Sequence, residues 1–173
     1  YTRPSGSAIV DHYRIVAAES PVPVIAYNVP YRTGRGLDAG ELLQIASIPN
    51  VAGLKQAVGA LDADTLVVLR DAPDTFSVLA GDDAFIGPSI HMGATGAIAA
   101  AAHVCTAAFA SLVAAAREGD VDRTRRLAHA LLPVVLAGFG EPSPSVWKGV
   151  LHARGELETP DLRRPMSAAS PDS

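Results

Sequence analysis

The chain has 173 residues, 49% of them hydrophobic and 18% charged, with a formal net charge of −4. That composition suits a soluble globular unit with a sizeable core and gives no support to nucleic-acid or anionic-membrane binding. A single cysteine, Cys105, excludes an internal disulfide and fits a reducing, cytoplasmic compartment. Gly, Pro, Asp and Arg interrupt every apolar run that approaches a membrane span. The opening Tyr-Thr-Arg-Pro carries neither an initiator Met nor a signal peptide, so the chain reads as part of a longer protein.

In chain order, residues 7–19 read as a helix with Ile9, Tyr13, Val16 and Ala17 on one face. A strand over 22–29 follows, with Asn28, Pro30 and Gly34 as turn residues. Asp38 with Glu41 predicts a capping box, and Leu42, Ile45 and Ala46 form the buried stripe of the helix it starts. Strand 51–56 carries Lys55. A helix over 60–70 leads to strand 76–80, which Gly81-Asp82-Asp83 ends; the two aspartates are expected to cap the next helix. Strand 95–99 is the last. Beyond residue 103 the pattern is helical, over 104–118, 120–138 and 142–154, with Asp120 as an N-cap and Pro133 as a kink in the second. Cys105 reads as a small buried hydrophobe, and Phe139 and Trp147 as core or interface residues. The tail from 160, with its prolines and serines, is expected to be disordered.

Strands in strict alternation with helices argue for a parallel α/β sheet whose strands are buried on both faces. Such a sheet is either doubly wound or part of a barrel. No Gly-x-Gly-x-x-Gly follows a first strand, and the Gly93-Ala-Thr-Gly96 turn precedes a strand, the wrong order for cradling phosphate. In barrels the chemistry lies at the C-terminal ends of strands, where Tyr27, Lys55 and Gly81-Asp82-Asp83 all fall.

Lys55 and Lys148 are the only lysines. A lysine within the apolar run Val51-Ala-Gly-Leu-Lys-Gln-Ala57 has two readings. Its stem packs while its head reaches water, or burial favours the neutral amine, which attacks a carbonyl to form a Schiff base. Tyr27 precedes it by the spacing of one strand–helix–strand unit, which places both at the same end of neighbouring parallel strands. There a tyrosine hydroxyl is either a buried group with one hydrogen bond or a general acid–base. Arg32 is equally open, as a surface loop arginine or a carboxylate clamp. His12, His91, His103, His129 and His152 are scattered without ligand-like spacing, so no metal site is expected.

The motifs Tyr27-Asn-Val-Pro-Tyr-Arg-Thr-Gly34, Gly53-Leu-Lys-Gln-Ala57, Ala80-Gly-Asp-Asp83 and Gly93-Ala-Thr-Gly-Ala-Ile98 resemble successive motifs of the dihydrodipicolinate synthase and N-acetylneuraminate lyase family. Tyr1-Thr-Arg-Pro-Ser5 resembles the segment after that family's fourth strand, and Glu141-Pro-Ser-Pro144 its C-terminal helical region. The resemblance covers the chain to about residue 155. It implies a class I, Schiff-base aldolase on an eightfold β/α barrel, of which residues 1–103 form the C-terminal half, 104–159 a helical extension and 160–173 a tail. It implies that Lys55 condenses with pyruvate, that Tyr27 shuttles protons, that Arg32 holds the aldehyde's carboxylate and that the Ile98 carbonyl lines the pyruvate site. Tyr1 corresponds to a tyrosine that crosses a dimer interface into the neighbour's relay. The enamine derived from pyruvate attacks the aldehyde, and the protonated imine is the electron sink, so no cofactor is implied.

Arg32 and Thr33 favour the synthase branch, which acts on aspartate semialdehyde. Two departures, Tyr31 where a small residue is usual and Gln56 where glutamate is common, point to the alternative of a paralogue for a sugar acid or N-acetylneuraminate. A catalytically silent relative serving only in assembly is the alternative of another class. The implied partners are pyruvate, a small aldehyde and copies of the chain itself, as dimers or tetramers. The loop that holds the pyruvate carboxylate is expected before Tyr1. The 173 residues alone, with an open sheet edge, are expected to aggregate or be inactive.

Overall fold

The computed structural model describes residues 2–171. It divides into two units, Tyr1–Ile98 and Ala99–Ser173.

The first unit begins with helix α1 (Gly6–Glu19), whose N-cap Ser5 accepts from the Ala8 amide. Strand β1 (Val24–Asn28) follows, then a single helical turn α2 (Pro30–Thr33) and helix α3 (Ala39–Ala46). Only Pro30 signals α2 in the sequence; it stands at the first helical position with φ preset for a helix. Gly34, at φ 70°, closes it in the left-handed region. The capping box forms as expected: Asp38 accepts from the Glu41 amide at 2.8 Å, and Glu41 accepts from the Asp38 amide at 3.1 Å. Leu42, Ile45 and Ala46 are the buried stripe. Strand β2 (Val51–Gln56), helix α4 (Ala63–Asp71), strand β3 (Ser77–Ala80), a 3-10 turn (Asp83–Phe85), helix α5 (Ile86–His91) and the short strand β4 (Gly96–Ala97) complete the unit.

The four strands are parallel in the order β1-β2-β3-β4. This sequential order has no reversal, and therefore no topological switch point of the doubly wound kind within these strands. One face is closed. Ala26, Leu54 and Val78 pack there against Val10 and Ala17 of α1, Leu42 and Ile45 of α3, and Val68 of α4. Side chains this deeply buried contribute about 1.5–3 kcal/mol each.

The other face is not buried, contrary to the expectation of strands covered on both sides. Side chains alternate along a strand, and in β1 Ile25 and Tyr27 are 47% and 44% exposed while Ala26 and Asn28 are buried. Helices α1, α3 and α4 cover one side of the sheet, and Ile25 and Tyr27 point to the other. Two further expectations change. Asn28 is not a turn residue but the buried last residue of β1. In α1 the core-facing positions are Val10 and Ala17; Ile9 and Val16 instead line a cavity of about 370 Å³, with His12, Tyr13, Arg3 and Arg35. That cavity lies along β1, which has only one neighbouring strand.

In the second unit, α6 (Ala102–Arg117) packs against α7 (Val121–Gly138) and α8 (Ser145–Ala153). Asp120 caps α7 as expected, accepting from the Arg123 amide at 2.9 Å. Pro133 lies inside α7, and in α6 Cys105 is non-helical, at φ −138° and ψ 43°. It lies in the first turns of a helix that opens without a side-chain cap, where the backbone is least restrained. The half-buried Cys105 is thus a break rather than a regular core position. Trp147 is buried edge-on to Phe139 at 5.3 Å between ring centroids. Arg154 Nη1 donates to the Val104 carbonyl at 2.6 Å, tying α8 to the start of α6. The segment after α8 has no helix or strand among its described residues, and Ser145 Oγ donates to the Ser167 carbonyl at 3.0 Å. No helix of the described residues is long and apolar enough to cross a membrane.

Gly53 is required for the close approach of β2 to β3. A Cβ there would lie 2.5 Å from the Ser77 carbonyl oxygen, a backbone atom that cannot swing aside. Gly53→Ala is expected to cost about 1–3 kcal/mol, seen as a lower urea midpoint with an unchanged slope.

Candidate active site

Tyr27 and Lys55 are register partners on β1 and β2. Both lie on the open face, and Lys55 Nζ stands 4.4 Å from the centroid of the Tyr27 ring. An amine over the face of a phenol ring is favoured by the ring's quadrupole. Lys55 is half-buried rather than enclosed, so its stem packs on the strand while its head is reachable from the open side. The amide of Tyr27, on the strand's free side, donates to the Tyr13 hydroxyl at 3.3 Å.

The same two strands carry a second register pair on the closed face, Asn28 and Gln56, 4% and 6% exposed. Asn28 Nδ2 donates to Gln56 Oε1 at 2.9 Å, and Gln56 Nε2 donates to Thr65 Oγ1 at 3.0 Å. Thr65 Oγ1 donates in turn to Asp62 Oδ1 at 2.6 Å, which also caps α4 by accepting from the Thr65 amide. These buried polar groups are satisfied by one another. They pin the strand ends beneath Lys55 to the start of α4. In the sequence Gln56 stands out only as a departure where glutamate is common; the pairing of the two amides across the sheet is not visible from their positions in the chain.

Asp82 departs from its expected role as a helix cap. Its side chain makes no cap hydrogen bond; Oδ2 accepts from the Gly59 amide at 2.7 Å. Burial raises the Asp82 carboxyl above the ordinary carboxylate value, while the Gly59 amide, the charge of Lys55 and the Val58 amide pull it back. The rim of the sheet therefore holds a carboxylate in electrostatic contact with the lysine.

Arg32 and Tyr31 leave the α2 turn together, with the Arg32 guanidinium carbon 5.7 Å from the Tyr31 ring centroid. Burial raises the Tyr31 phenol above its ordinary value; Tyr27 adds to this, a hydrogen-bonding approach of Arg32 works against it, and Asp82 adds further. Tyr31 thus links Arg32 to the Tyr27 and Lys55 pair. Ile98 sits two strands along from Lys55, its amide donating to the Ala80 carbonyl at 2.9 Å and its side chain exposed. Tyr1 lies outside the described residues. The structure thus brings Tyr27, Lys55 and Arg32 to one end of the sheet, with Tyr31 and Asp82, whose interactions with them are not legible in the sequence.

The profile of the Dihydrodipicolinate synthetase family matches residues 1–173. The chain is 36% identical over 166 residues to 4-hydroxy-tetrahydrodipicolinate synthase of Neisseria meningitidis serogroup B, covering 96% of this chain and 56% of that protein. It is 36% identical over 170 residues to the enzyme of that name from Moorella thermoacetica, covering 98% of this chain and 58% of the other. The structure superposes on dihydrodipicolinate synthase from Acinetobacter baumannii, solved in complex with pyruvate, with a TM-score of 0.94 and 27% identity over 99% of this chain and 58% of that one. The chain belongs to the dihydrodipicolinate synthetase family and spans a little over half the length of the relatives it matches.

The raised Asp82 gives a pH signature. A carboxyl whose folded value lies above its unfolded one binds its proton more tightly when folded. Its favourable contribution is complete below the unfolded value and is lost as pH rises through the folded one. Asp82→Asn retains an acceptor for the Gly59 amide and removes this dependence. Relative to wild type, the variant is expected to gain stability as pH rises from about 3 through the carboxylate range, and the difference to level off towards neutrality. Urea unfolding across that pH range measures it.

Proposed function

We propose that this member of the dihydrodipicolinate synthetase family works as a 4-hydroxy-tetrahydrodipicolinate synthase-like lyase, condensing pyruvate with aspartate semialdehyde. In this reading residues 1–103 are an arc of a (β/α)8 barrel, 104–159 a helical extension, and the open face of the sheet is the inside of the barrel. The observation that carries it is the register pair on that face, Tyr27 and Lys55, with Nζ 4.4 Å from the phenol ring.

Lys55 Nζ attacks the keto carbon of pyruvate, and loss of water leaves a protonated imine. The cationic nitrogen withdraws electrons from the methyl carbon, which loses a proton to give the enamine. The enamine carbon then attacks the aldehyde. Each step moves a proton to or from oxygen, nitrogen or carbon close to Lys55, and the Tyr27 hydroxyl is the group placed to carry it. Tyr1 extends this relay from a second copy of the chain, in a cytoplasmic dimer or tetramer. Ile98 supplies its carbonyl to the pyruvate subsite. The Arg32 guanidinium presents a planar fork suited to the carboxylate of the aldehyde substrate, which supports the synthase reading over that of the sugar-acid aldolases.

Borohydride reduction of the full-length protein with pyruvate is expected to trap an adduct on Lys55, located by peptide mapping and absent in Lys55→Ala. A folded protein that gives no adduct overturns the reading. Tyr27→Phe is expected to lower kcat by about 10²–10⁴-fold, and Arg32→Ala to raise KM for the aldehyde by about tenfold or more with little change for pyruvate.

A further inference from the structure

Tyr31 is the one large aromatic residue of the α2 turn, and it is 63% exposed. Little of its ring is removed from water, so the hydrophobic effect gives it little reason to be where it is. Its surroundings are polar and belong to the site. The Arg32 guanidinium carbon lies 5.7 Å from its ring centroid, and Tyr27 and Arg32 both act on its phenol, the first raising its pKa and the second, through hydrogen bonding, lowering it. Lys55 stands on the far side of Tyr27, with Nζ 4.4 Å from that ring. Asp82 acts electrostatically on both Lys55 and Tyr31. The α2 turn fixes this arrangement. The Arg32 and Thr33 amides donate to the Val29 carbonyl at 2.9 and 3.1 Å, and the Gly34 amide to the Pro30 carbonyl at 2.7 Å.

We propose that Tyr31 is a specificity-determining residue: its ring, packed beside Arg32 at the rim that carries Tyr27 and Lys55, sets the length of the carboxylate-bearing aldehyde that fits between the lysine and the arginine. This rests on the reading of Lys55 as the imine-forming lysine and Arg32 as the carboxylate clamp. A substrate chain joined to the Lys55 enamine at one end and paired with Arg32 at the other must pass beside the Tyr31 ring. A chain that is too short does not reach the guanidinium. One methylene too many is forced against the Tyr31 ring, which Arg32 backs. Pockets of this kind discriminate a single methylene by about 10–200-fold.

The test uses the full-length protein with Tyr31→Ser, Tyr31→Phe and two probe aldehydes, succinic semialdehyde and glutaric semialdehyde. Because Tyr31 is exposed, both variants are expected to fold and to trap pyruvate on Lys55 as wild type does. Tyr31→Ser removes the ring and is expected to shift the kcat/KM ratio at least tenfold towards the longer aldehyde. Tyr31→Phe keeps the ring and is expected to retain the wild-type ratio, with KM for both aldehydes raised by loss of the hydroxyl. An unchanged ratio in Tyr31→Ser overturns the proposal. If wild type itself traps no pyruvate, the imine reading fails and carboxylate binding decides this one. Succinate and glutarate titrated by calorimetry are expected to show the same tenfold shift towards the longer diacid in Tyr31→Ser, and equal selectivity in wild type and variant overturns it.

Discussion

The register between β1 and β2 is the constraint on which the site depends. Side chains alternate in a strand, so a slip of one residue exchanges every side chain between faces. Here a slip would turn Lys55 into the closed face, among Ala26, Leu54 and Val78, where an unpaired amine is costly to bury. It would also turn Gln56 out. The buried amide pair Asn28 and Gln56 opposes this, because its hydrogen bonds close only in the observed register. The chain continues through Thr65 to Asp62, which also starts α4. A neutral amide at position 56 suits this place. It donates to one partner and accepts from the other, and it brings no charge into the core.

The two faces of the sheet therefore have different tasks. The closed face carries the apolar core and one satisfied polar network. The open face carries Ile25, Tyr27 and Lys55, with Arg32, Tyr31 and Asp82 around its C-terminal rim. Stability is concentrated on the first face, so the second is free to hold groups that a packed interior would penalise. The separation explains how Tyr31, largely exposed, has a fixed place: the helical turn beneath it is tied by backbone hydrogen bonds and closed by Gly34, not by burial of the ring.

What the sequence revealed follows the range of the forces involved. The Asp38 and Glu41 capping box, the stripe Leu42, Ile45 and Ala46, and the bounds of β2 depend on residues within a few positions of one another, and periodicity exposes them. The Tyr27 and Lys55 pair was legible because one strand–helix–strand spacing fixes it. Less could be read where a distant partner decides. Asp82 has the sequence context of a helix cap, yet the Gly59 amide takes its carboxylate. Asn28 has the sequence context of a turn, yet Gln56 draws it into the sheet. Ile9 and Val16 satisfy the helical pattern but face a cavity, because periodicity reports a face and not what lies opposite. The motifs that resemble the family located Arg32 and Ile98, but the place of Tyr31 in the site rests on contacts made in space.

The charges at the rim favour an anionic ligand. The chain as a whole carries −4, yet Lys55 and Arg32 lie at one end of the sheet, with Asp82 acting electrostatically on the lysine. Burial works against ionisation of Asp82, and the Gly59 amide and Lys55 work for it. The carboxylate is thus drawn partly into hydrogen bonding with backbone amides, and part of the positive field is left for a ligand. A substrate carrying one carboxylate near Lys55 and another near Arg32 meets a cation at each end, while a neutral aldehyde meets a cation it cannot pair. In the proposed reaction the imine nitrogen of Lys55 is cationic and the enamine nitrogen neutral, so the charge that Asp82 faces falls when the methyl proton leaves and returns once the enamine has attacked the aldehyde. The Gly59 amide holds the Asp82 carboxylate in one place, and a negative charge fixed there favours the cationic imine without reorganising.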